Sequence, residues 1–223
     1  MSTASQSHGV NVNVDLLTPG HPEWDVTTAN IAKVYRRAYG ARLTSFMPQF
    51  LKVAGDDGAF RAAVGMRHAG EHKLFLEIYL DEPIEQAIAA RTNKAVDREG
   101  ILEIGNLAES RPGDARLGII ASTMYLHTLG YRWVVFTAVP QLLNAFKRLG
   151  IEPIEIVAAD PERLNEEQRA VWGSYYAERP MVCFAEIARG FASLRDFDKT
   201  WLDAKRLADK ELAIKLGSFA RGT

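Results

Sequence analysis

Helical spacing of apolar residues marks the first predicted elements of the chain. In Val26–Tyr39 the apolar positions recur every three or four residues, and Gly40 follows as a C-terminal stop. Ala115–Leu129 shows the same period. Both segments are therefore predicted to be amphipathic helices. A shorter helix is predicted at Thr44–Val53, with Pro48 near its first turn.

Other segments are apolar at alternate positions or throughout, which indicates strands. Lys73–Leu80 (KLFLEIYL) alternates and follows a predicted strand at Phe60–Met66, so the two are expected to form an antiparallel hairpin. Trp133–Ala138 is almost continuously apolar, as is typical of a strand buried on both faces. Predicted strands at Ile101–Leu107 and Ile154–Ala158, with helices between, complete a strand–helix–strand–helix–strand run. This run predicts a largely parallel region within an α/β fold that has a mixed central sheet and flanking helices.

The two ends of the chain differ from its middle. The polar N-terminus predicts a flexible segment at residues 1–14, followed by one domain at residues 15–195. A helical extension is predicted at residues 196–223, because apolar residues follow one another at helical spacing from Trp201 to Leu216. This helix would pack on the domain or on a second copy in a homodimer. Binding to a membrane surface or to another partner is the alternative.

Charge and composition exclude several classes of function. The 27 lysines and arginines nearly balance 28 aspartates and glutamates, so no basic face for nucleic acid is indicated. No apolar run reaches the length of a transmembrane helix, and the N-terminus lacks the pattern of a signal peptide. These features predict a cytoplasmic protein. The single cysteine, Cys183, is interpreted as a small core residue rather than a catalytic thiol.

Common site motifs are missing from the sequence. There is no phosphate loop, no dinucleotide-binding GxGxxG, no GxSxG elbow and no HExxH motif. His68 and His72 have the spacing of metal ligands, but they flank a predicted hairpin tip and lack a third ligand. No metal site and no tightly bound cofactor are therefore expected.

One strand-to-helix junction has the features of an acyl-thioester site, and the order of the predicted elements resembles the GNAT acyltransferase fold. Gly105 can interrupt its strand, so that free backbone groups pair with pantetheine amides. The helix start at Gly113–Gly118 offers N–H groups to a phosphate, with Arg111 and Arg116 as cations. Glu103 is the candidate base for the attacking amine. The alternatives are an ordinary outward-facing glutamate and two solvated arginines.

Four separated stretches of sequence resemble the thermostable hemolysin family, whose members are identified as GNAT-superfamily proteins related to acyl-homoserine-lactone synthases. The stretches are FLEIYLDEPIE at 75–85, EIGNLA at 103–108, WVVFTA at 133–138 and WGSYY at 172–176. The resemblance covers about residues 30–190. It implies a GNAT-like fold and transfer of an acyl group from a CoA or acyl-carrier-protein thioester to a small amine. An acyl carrier protein would then be a partner.

The resemblance also implies roles for individual residues by their position. A backbone N–H near Asn106 would stabilise the oxyanion, and Tyr175 or Tyr176 would line the acceptor side. On the donor side the assigned residues are Arg111, Gly113, Arg116, Leu117 and Asn144. Glu77 and Asp81 are assigned to an amino-acid-like acceptor, because carboxylates suit its ammonium group, and Arg42 is assigned to close over the same cleft.

Phe146 departs from the family pattern. Many GNAT enzymes have a general-acid tyrosine at this place, and a phenyl ring cannot protonate a leaving thiolate. Either Tyr175 or Tyr176 supplies the proton, or the thiolate leaves unassisted, since a thiol pKa of about 8.5 makes it a fair leaving group. Two other functions stay open. One is a membrane-active haemolysin-type protein, and the other is a GNAT-fold binding module without catalysis.

Overall fold

A computed structural model describes residues 12–194 and 204–213 of the 223-residue chain. Seven strands form one sheet in the order β1-β2-β3-β4-β5-β7-β6. The strands are β1 Val12–Leu17, β2 Gln49–Gly55, β3 Phe60–His68, β4 Ile101–Glu109, β5 Trp133–Ala138, β6 Ile154–Ala158 and β7 Met181–Glu186. The helices are α1 Trp24–Tyr39, α2 Ile84–Thr92, α3 Ala115–Thr128, α4 Pro140–Arg148, α5 Glu166–Val171 and α6 Ile187–Ser193. Short 3₁₀ segments occupy Phe75–Tyr79, Arg98–Gly100, Pro161–Arg163 and Tyr175–Glu178.

The sheet is antiparallel except at its centre, where β4 and β5 run parallel. The predicted parallel run is therefore correct for β4 and β5. It is wrong for β6, because β7 lies between β5 and β6 and pairs antiparallel with both. The order of strands in space depends on contacts between distant segments, which the local pattern of the chain does not contain.

Helices cover both faces of the sheet. On one face, Leu117, Ala121 and Met124 of α3 pack with Leu51 and Val53 of β2. On the other face, the core around α1 contains Ile31, Leu17, Phe50, Ala63 and Ala108. Strand residues alternate between the two faces, as the pleat requires. Residues 204–213 are helical and contribute Ala204 and Ala208 to the core beside α3.

Two predicted elements are wrong. The segment predicted as a helix at Thr44–Val53 contains the first five residues of β2. This strand pairs with strands on both sides and is preceded by an extended loop ending at Pro48. Lys73–Leu80 is not a strand but contains a 3₁₀ turn at Phe75–Tyr79. β3 consequently forms its hairpin with β2 rather than with this segment, and its other neighbour is β4. A residue before proline avoids helical geometry, which favours the extended loop.

The remaining predicted helices and strands are confirmed within a few residues. Gly40 ends α1 in the left-handed conformation, with φ of 67° and its N–H bonded to the Arg36 carbonyl. At the N-terminus, β1 begins at Val12, inside the segment predicted to be flexible. Residues 1–11, 195–203 and 214–223 lie outside the described residues, and so do the ends of the predicted C-terminal helix.

Candidate active site

β4 separates from β5 halfway along its length. Their last paired residues are Ile104 and Phe136, whereas β4 continues to Glu109 beside β3. Between Gly105 and Ala108, β4 contains one residue more than the facing part of β3, which makes a β-bulge. Asn106 sits in this bulge with φ of 48°. The predicted break is therefore confirmed, but the distorted residue is Asn106 and not Gly105. It leaves backbone groups of β4 open toward β5.

Gly105 has a different function, which is to make room for a loop. A Cβ at this position would lie 2.6 Å from the terminal methyl group of Met47, and one at Gly65 on β3 would lie 2.7 Å from the Met47 side chain. The loop before β2 thus rests on two neighbouring glycines. Its position is fixed from the other side by Asn106, whose Oδ1 accepts the Met47 N–H at 3.0 Å. The bulge therefore shapes the wall of the opening.

A cleft of about 1240 Å³ runs through this opening between the two strands. It is lined by α1, the loop before β2, β4 from Glu103 onward, the first turn of α3, the end of β5, α4 and the segment around Trp172. Glu103 and Ile104 point to opposite faces of the sheet, as neighbours on a strand do. The cleft thus has one end beside α1 and the other beside α3 and α4.

Glu103 lies at the α1 end of the cleft and is only 3% exposed. Its two carboxylate oxygens accept the N–H groups of Phe75 and Leu76, each at 2.9 Å. Arg67, opposite Glu103 on β3, reaches the same carboxylate at 3.4 Å. Burial raises the pKa of Glu103 above its usual value, although these hydrogen bonds and Arg67 partly oppose the shift. A raised pKa makes a carboxylate a better proton acceptor.

Glu77 supports this arrangement from outside the cleft. It accepts the N–H groups of Leu74 and Ile84 and forms a bidentate pair with Arg98, at 2.6 and 2.9 Å. Burial acts to raise its pKa, but these hydrogen bonds and the charge of Arg98 outweigh it and lower the pKa. The carboxylates of the two glutamates thus accept N–H groups of this segment that a neighbouring strand would accept in a sheet. Glu77 holds the turn whose N–H groups bind Glu103.

An aromatic wall lines the cleft beside Glu103. It consists of seven rings in a continuous series of contacts at centroid distances of 5.2–6.4 Å: Tyr35, Tyr39, Phe75, Tyr79, Trp172, Tyr175 and Tyr176. Gly173 anchors this wall to the end of α1. A Cβ there would lie 2.1 Å from the Tyr39 carbonyl oxygen, which also accepts the Ser174 N–H at 2.8 Å.

The two candidate acids, Tyr175 and Tyr176, are in this wall. Burial raises the pKa of Tyr175 well above its usual value, and the neighbouring tyrosines add to the shift. Burial also raises the pKa of Tyr176, whose hydroxyl shares a hydrogen bond with Tyr79. Both hydroxyls therefore stay protonated at neutral pH. Phe146 lines the opposite end of the cleft and stacks on Phe136 at 4.8 Å.

The start of α3 forms the second polar region of the cleft. Gly113 adopts φ of 94°, and the chain turns there into the helix. Asp114 is 6% exposed and holds Arg61 through two hydrogen bonds of 2.8 and 2.7 Å. Arg116 lines the cleft, and within the described residues it makes no ion pair. The junction thus offers a cation to a ligand phosphate.

The cleft brings together some of the residues predicted from the sequence. Those that line it are Glu103, Asn106, Gly113, Arg116, Asn144, Tyr175 and Tyr176. Those that do not are Arg42, Glu77, Asp81, Arg111 and Leu117. Leu117 points into the core below α3, and Asp81 is exposed and pairs with Arg163 at 2.5 Å. The assignment of Glu77 was made with residues 73–80 taken as a strand of the sheet, whereas these residues contain the 3₁₀ turn at Phe75–Tyr79.

Sequence reasoning missed Arg67 and most of the aromatic wall. Arg67 follows from pairing β3 with β4, since that register places it opposite Glu103. The KLFLEIYL pattern alternates like a strand, and it therefore predicted that β3 pairs with Lys73–Leu80 instead of with β4. The wall joins α1 to a segment more than 130 residues later, and no local pattern indicates that contact.

Comparison with known proteins identifies the fold. A family model described as thermostable hemolysin matches residues 17–191. Three similar solved structures are the AHL synthase LasI (12% identity, TM-score 0.56), the N-acyl amino acid synthase FeeM from uncultured soil microbes (12%, 0.55) and the CoA-dependent acyl-homoserine lactone synthase BjaI, solved with SAM and isopentyl-CoA (15%, 0.54). The matches cover 84%, 84% and 90% of this chain and 96%, 97% and 99% of the respective structures. The predicted GNAT-like acyltransferase fold is confirmed.

Three further findings bear on the classes of function. No curated protein matches the chain. Within residues 12–194 and 204–213, no helix has the length and apolar character needed to cross a bilayer. The same residues contain no group of three or more histidine, cysteine, aspartate or glutamate side chains that could hold a metal ion.

Proposed function

The chain belongs to the thermostable hemolysin family, and from this premise we propose that it transfers an acyl group from a pantetheine thioester to the amine of a small amino-acid-like acceptor. The observation that carries the proposal is the buried carboxylate of Glu103 at the opening between β4 and β5. A base, free strand backbone and a helix N-terminus meet there in one cleft. The donor is a thioester of CoA or of an acyl carrier protein.

The donor enters from the α3 and α4 end. Free backbone groups of β4 beyond Ile104 can pair with the pantetheine amides as an added strand would. Arg116 at the start of α3 pairs with the donor phosphate, and Asn144 lies on the same side. The apolar side chains at this end, including Phe136 and Phe146, surround the thioester.

The acceptor enters from the α1 end, where Glu103 lies beside the aromatic wall. The ring faces and the Glu103 carboxylate both favour an ammonium group. Arg67 is 23% exposed at its side chain and lines the same space, so it can pair with an acceptor carboxylate. The proposal of an amino-acid-like acceptor therefore rests on the charges of Glu103 and Arg67 and not on Glu77 and Asp81.

The ammonium of the acceptor loses two protons, one before the amine attacks and one as the amide forms. Glu103 takes the proton from the ammonium, directly or through a water, and the free amine attacks the thioester carbon. A C–N bond forms, and a backbone N–H near the Asn106 bulge stabilises the oxyanion. The C–S bond then breaks, and the nitrogen releases its second proton to water or to the departing thiolate as the amide forms. Because Phe146 cannot donate a proton, the thiolate leaves unassisted or takes a proton from the Tyr176 side of the cleft.

Intact-mass analysis of reaction mixtures tests this proposal. The protein is incubated with acyl-CoAs or acyl carrier proteins and a panel of amino acids and other amines. We expect an N-acyl product that depends on both substrates and is greatly reduced with Glu103→Gln. Dye release from liposomes without any thioester, and no acylated product, would instead support a membrane-active protein.

A further inference from the structure

Glu109 occupies the position at which a donor phosphate would meet α3. It is the last residue of β4 and lines the cleft. Its Oε2 accepts the N–H of Ala115, the first residue of α3, at 2.8 Å. The first open N–H of the helix is therefore already bonded to a carboxylate of the chain itself. A phosphate that approached this N–H would have to displace Glu109.

No ion pair within the described residues neutralises Glu109 at this position, in contrast to its neighbour Asp114. Asp114, the other carboxylate at the start of α3, is neutralised by its bidentate pair with Arg61. Glu109 forms no ion pair within the part of the chain that the structure describes. A helix N-terminus favours an anion, so Glu109 and a ligand phosphate compete for the same partner. They also repel each other when both are present.

We propose that Glu109 is a specificity-determining residue that penalises donors in proportion to the phosphate charge they bring to α3. This inference rests on the proposed use of a pantetheine thioester. Pantetheine without phosphate is not penalised. The phosphodiester of a carrier-bound arm, with one charge, is penalised moderately, and the pyrophosphate of CoA, with two charges, is penalised most. Donors with a lone phosphopantetheine arm are thereby favoured over CoA relative to a site without this carboxylate.

Three ligands that share the pantetheine arm and carry different phosphate groups test the inference. Each ligand is compared between wild type and variant, so the adenosine of CoA contributes equally to both measurements. Dissociation constants of pantetheine, 4′-phosphopantetheine and CoA are measured by calorimetry at low ionic strength for wild type and Glu109→Gln. Glutamine keeps an oxygen for the Ala115 N–H but removes the charge. We expect CoA to bind about fivefold more tightly to Glu109→Gln, from the interaction of unit charges about 4 Å apart in a water-like dielectric. Phosphopantetheine, whose free phosphate also carries nearly two charges at neutral pH, should gain about as much, and pantetheine should not change.

Two controls separate local charge from other effects. Glu152→Gln removes the same charge from an exposed residue outside the cleft and should leave all three constants unchanged. Glu109→Asp keeps the charge and should not strengthen CoA binding. An equal gain for all three ligands, or none for CoA, overturns the inference and leaves the proposed function standing. Failure of wild type to bind any of the three ligands contradicts the proposed donor site itself.

Discussion

Replacing Glu103 by glutamine separates the chemical contribution of its carboxylate from its structural one. The carboxylate oxygens accept two backbone N–H groups, from Phe75 and Leu76. An amide can replace only one of these acceptors, so one N–H is left facing an NH₂ group at a cost of about 1–3 kcal/mol. The loss of a general base should lower turnover by roughly 10²- to 10⁴-fold. Donor affinity should change little, because Glu103 lies at the acceptor end.

Glu77→Gln is the matched control, because Glu77 anchors the same 3₁₀ turn without lining the cleft. It should destabilise the protein by roughly 1–3 kcal/mol through the weakened pair with Arg98. Turnover should stay within about threefold of wild type, which is small compared with the loss expected when a general base is removed. The two variants therefore differ in activity although both loosen the turn.

The pH dependence of stability should also differ in sign between the two variants. The folded-state pKa of Glu103 is raised, so the stability it contributes is present at low pH and is lost as the pH rises above the ordinary value of 4.5. The deficit of Glu103→Gln should therefore shrink as the pH rises. The pKa of Glu77 is lowered, so its contribution is present above pH 4.5 and is lost as the pH falls. The deficit of Glu77→Gln should grow as the pH rises.

Urea unfolding followed by tryptophan fluorescence gives the stabilities, and release of free thiol at saturating donor gives turnover. Turnover of Glu103→Gln within threefold of wild type would show that this carboxylate is only a structural anchor. An equally large loss of turnover in Glu77→Gln would show that the effect comes from disorder of the turn rather than from a missing base.

Three other changes test separate parts of the cleft. Arg116→Ala should weaken CoA binding about fivefold at low salt and make the affinity less dependent on salt, which calorimetry at two ionic strengths would show. Unchanged affinity would place the phosphate elsewhere. Gly173→Ala should destabilise the fold by roughly 2–4 kcal/mol in urea unfolding, because its Cβ would meet the α1 backbone. Gly40→Ala has open space at its Cβ and should cost about 1–2 kcal/mol. Equal losses would refute the role of Gly173 in the contact with α1. Tyr176→Phe should leave turnover and the high-pH limb of the pH–rate profile unchanged if the thiolate leaves unassisted. Lower turnover together with loss of the fall in rate at high pH would identify Tyr176 as the general acid.

The sequence alone determined those elements whose stability depends on their own periodicity. The apolar stripes of α1 and α3 show that one face of each helix is buried, and Gly40 marks the end of α1. The apolar run of β5 shows that both faces of that strand are buried. This information lies within each segment itself. The junction between β4 and α3 was recognisable for the same reason. Its glycines and Glu103 lie within one short stretch of chain.

Only the tertiary structure decided which segments meet. KLFLEIYL alternates like a strand, yet it turns into a 3₁₀ segment because the carboxylates of Glu103 and Glu77 bind its N–H groups in place of a neighbouring strand. Arg67 reaches Glu103 only through the pairing of β3 with β4, and Trp172 reaches Tyr35 only through the docking of Gly173 on α1. Each of these contacts joins residues far apart in the chain. Their free energy depends on packing and hydrogen bonding across that distance, which a local hydrophobic pattern does not encode.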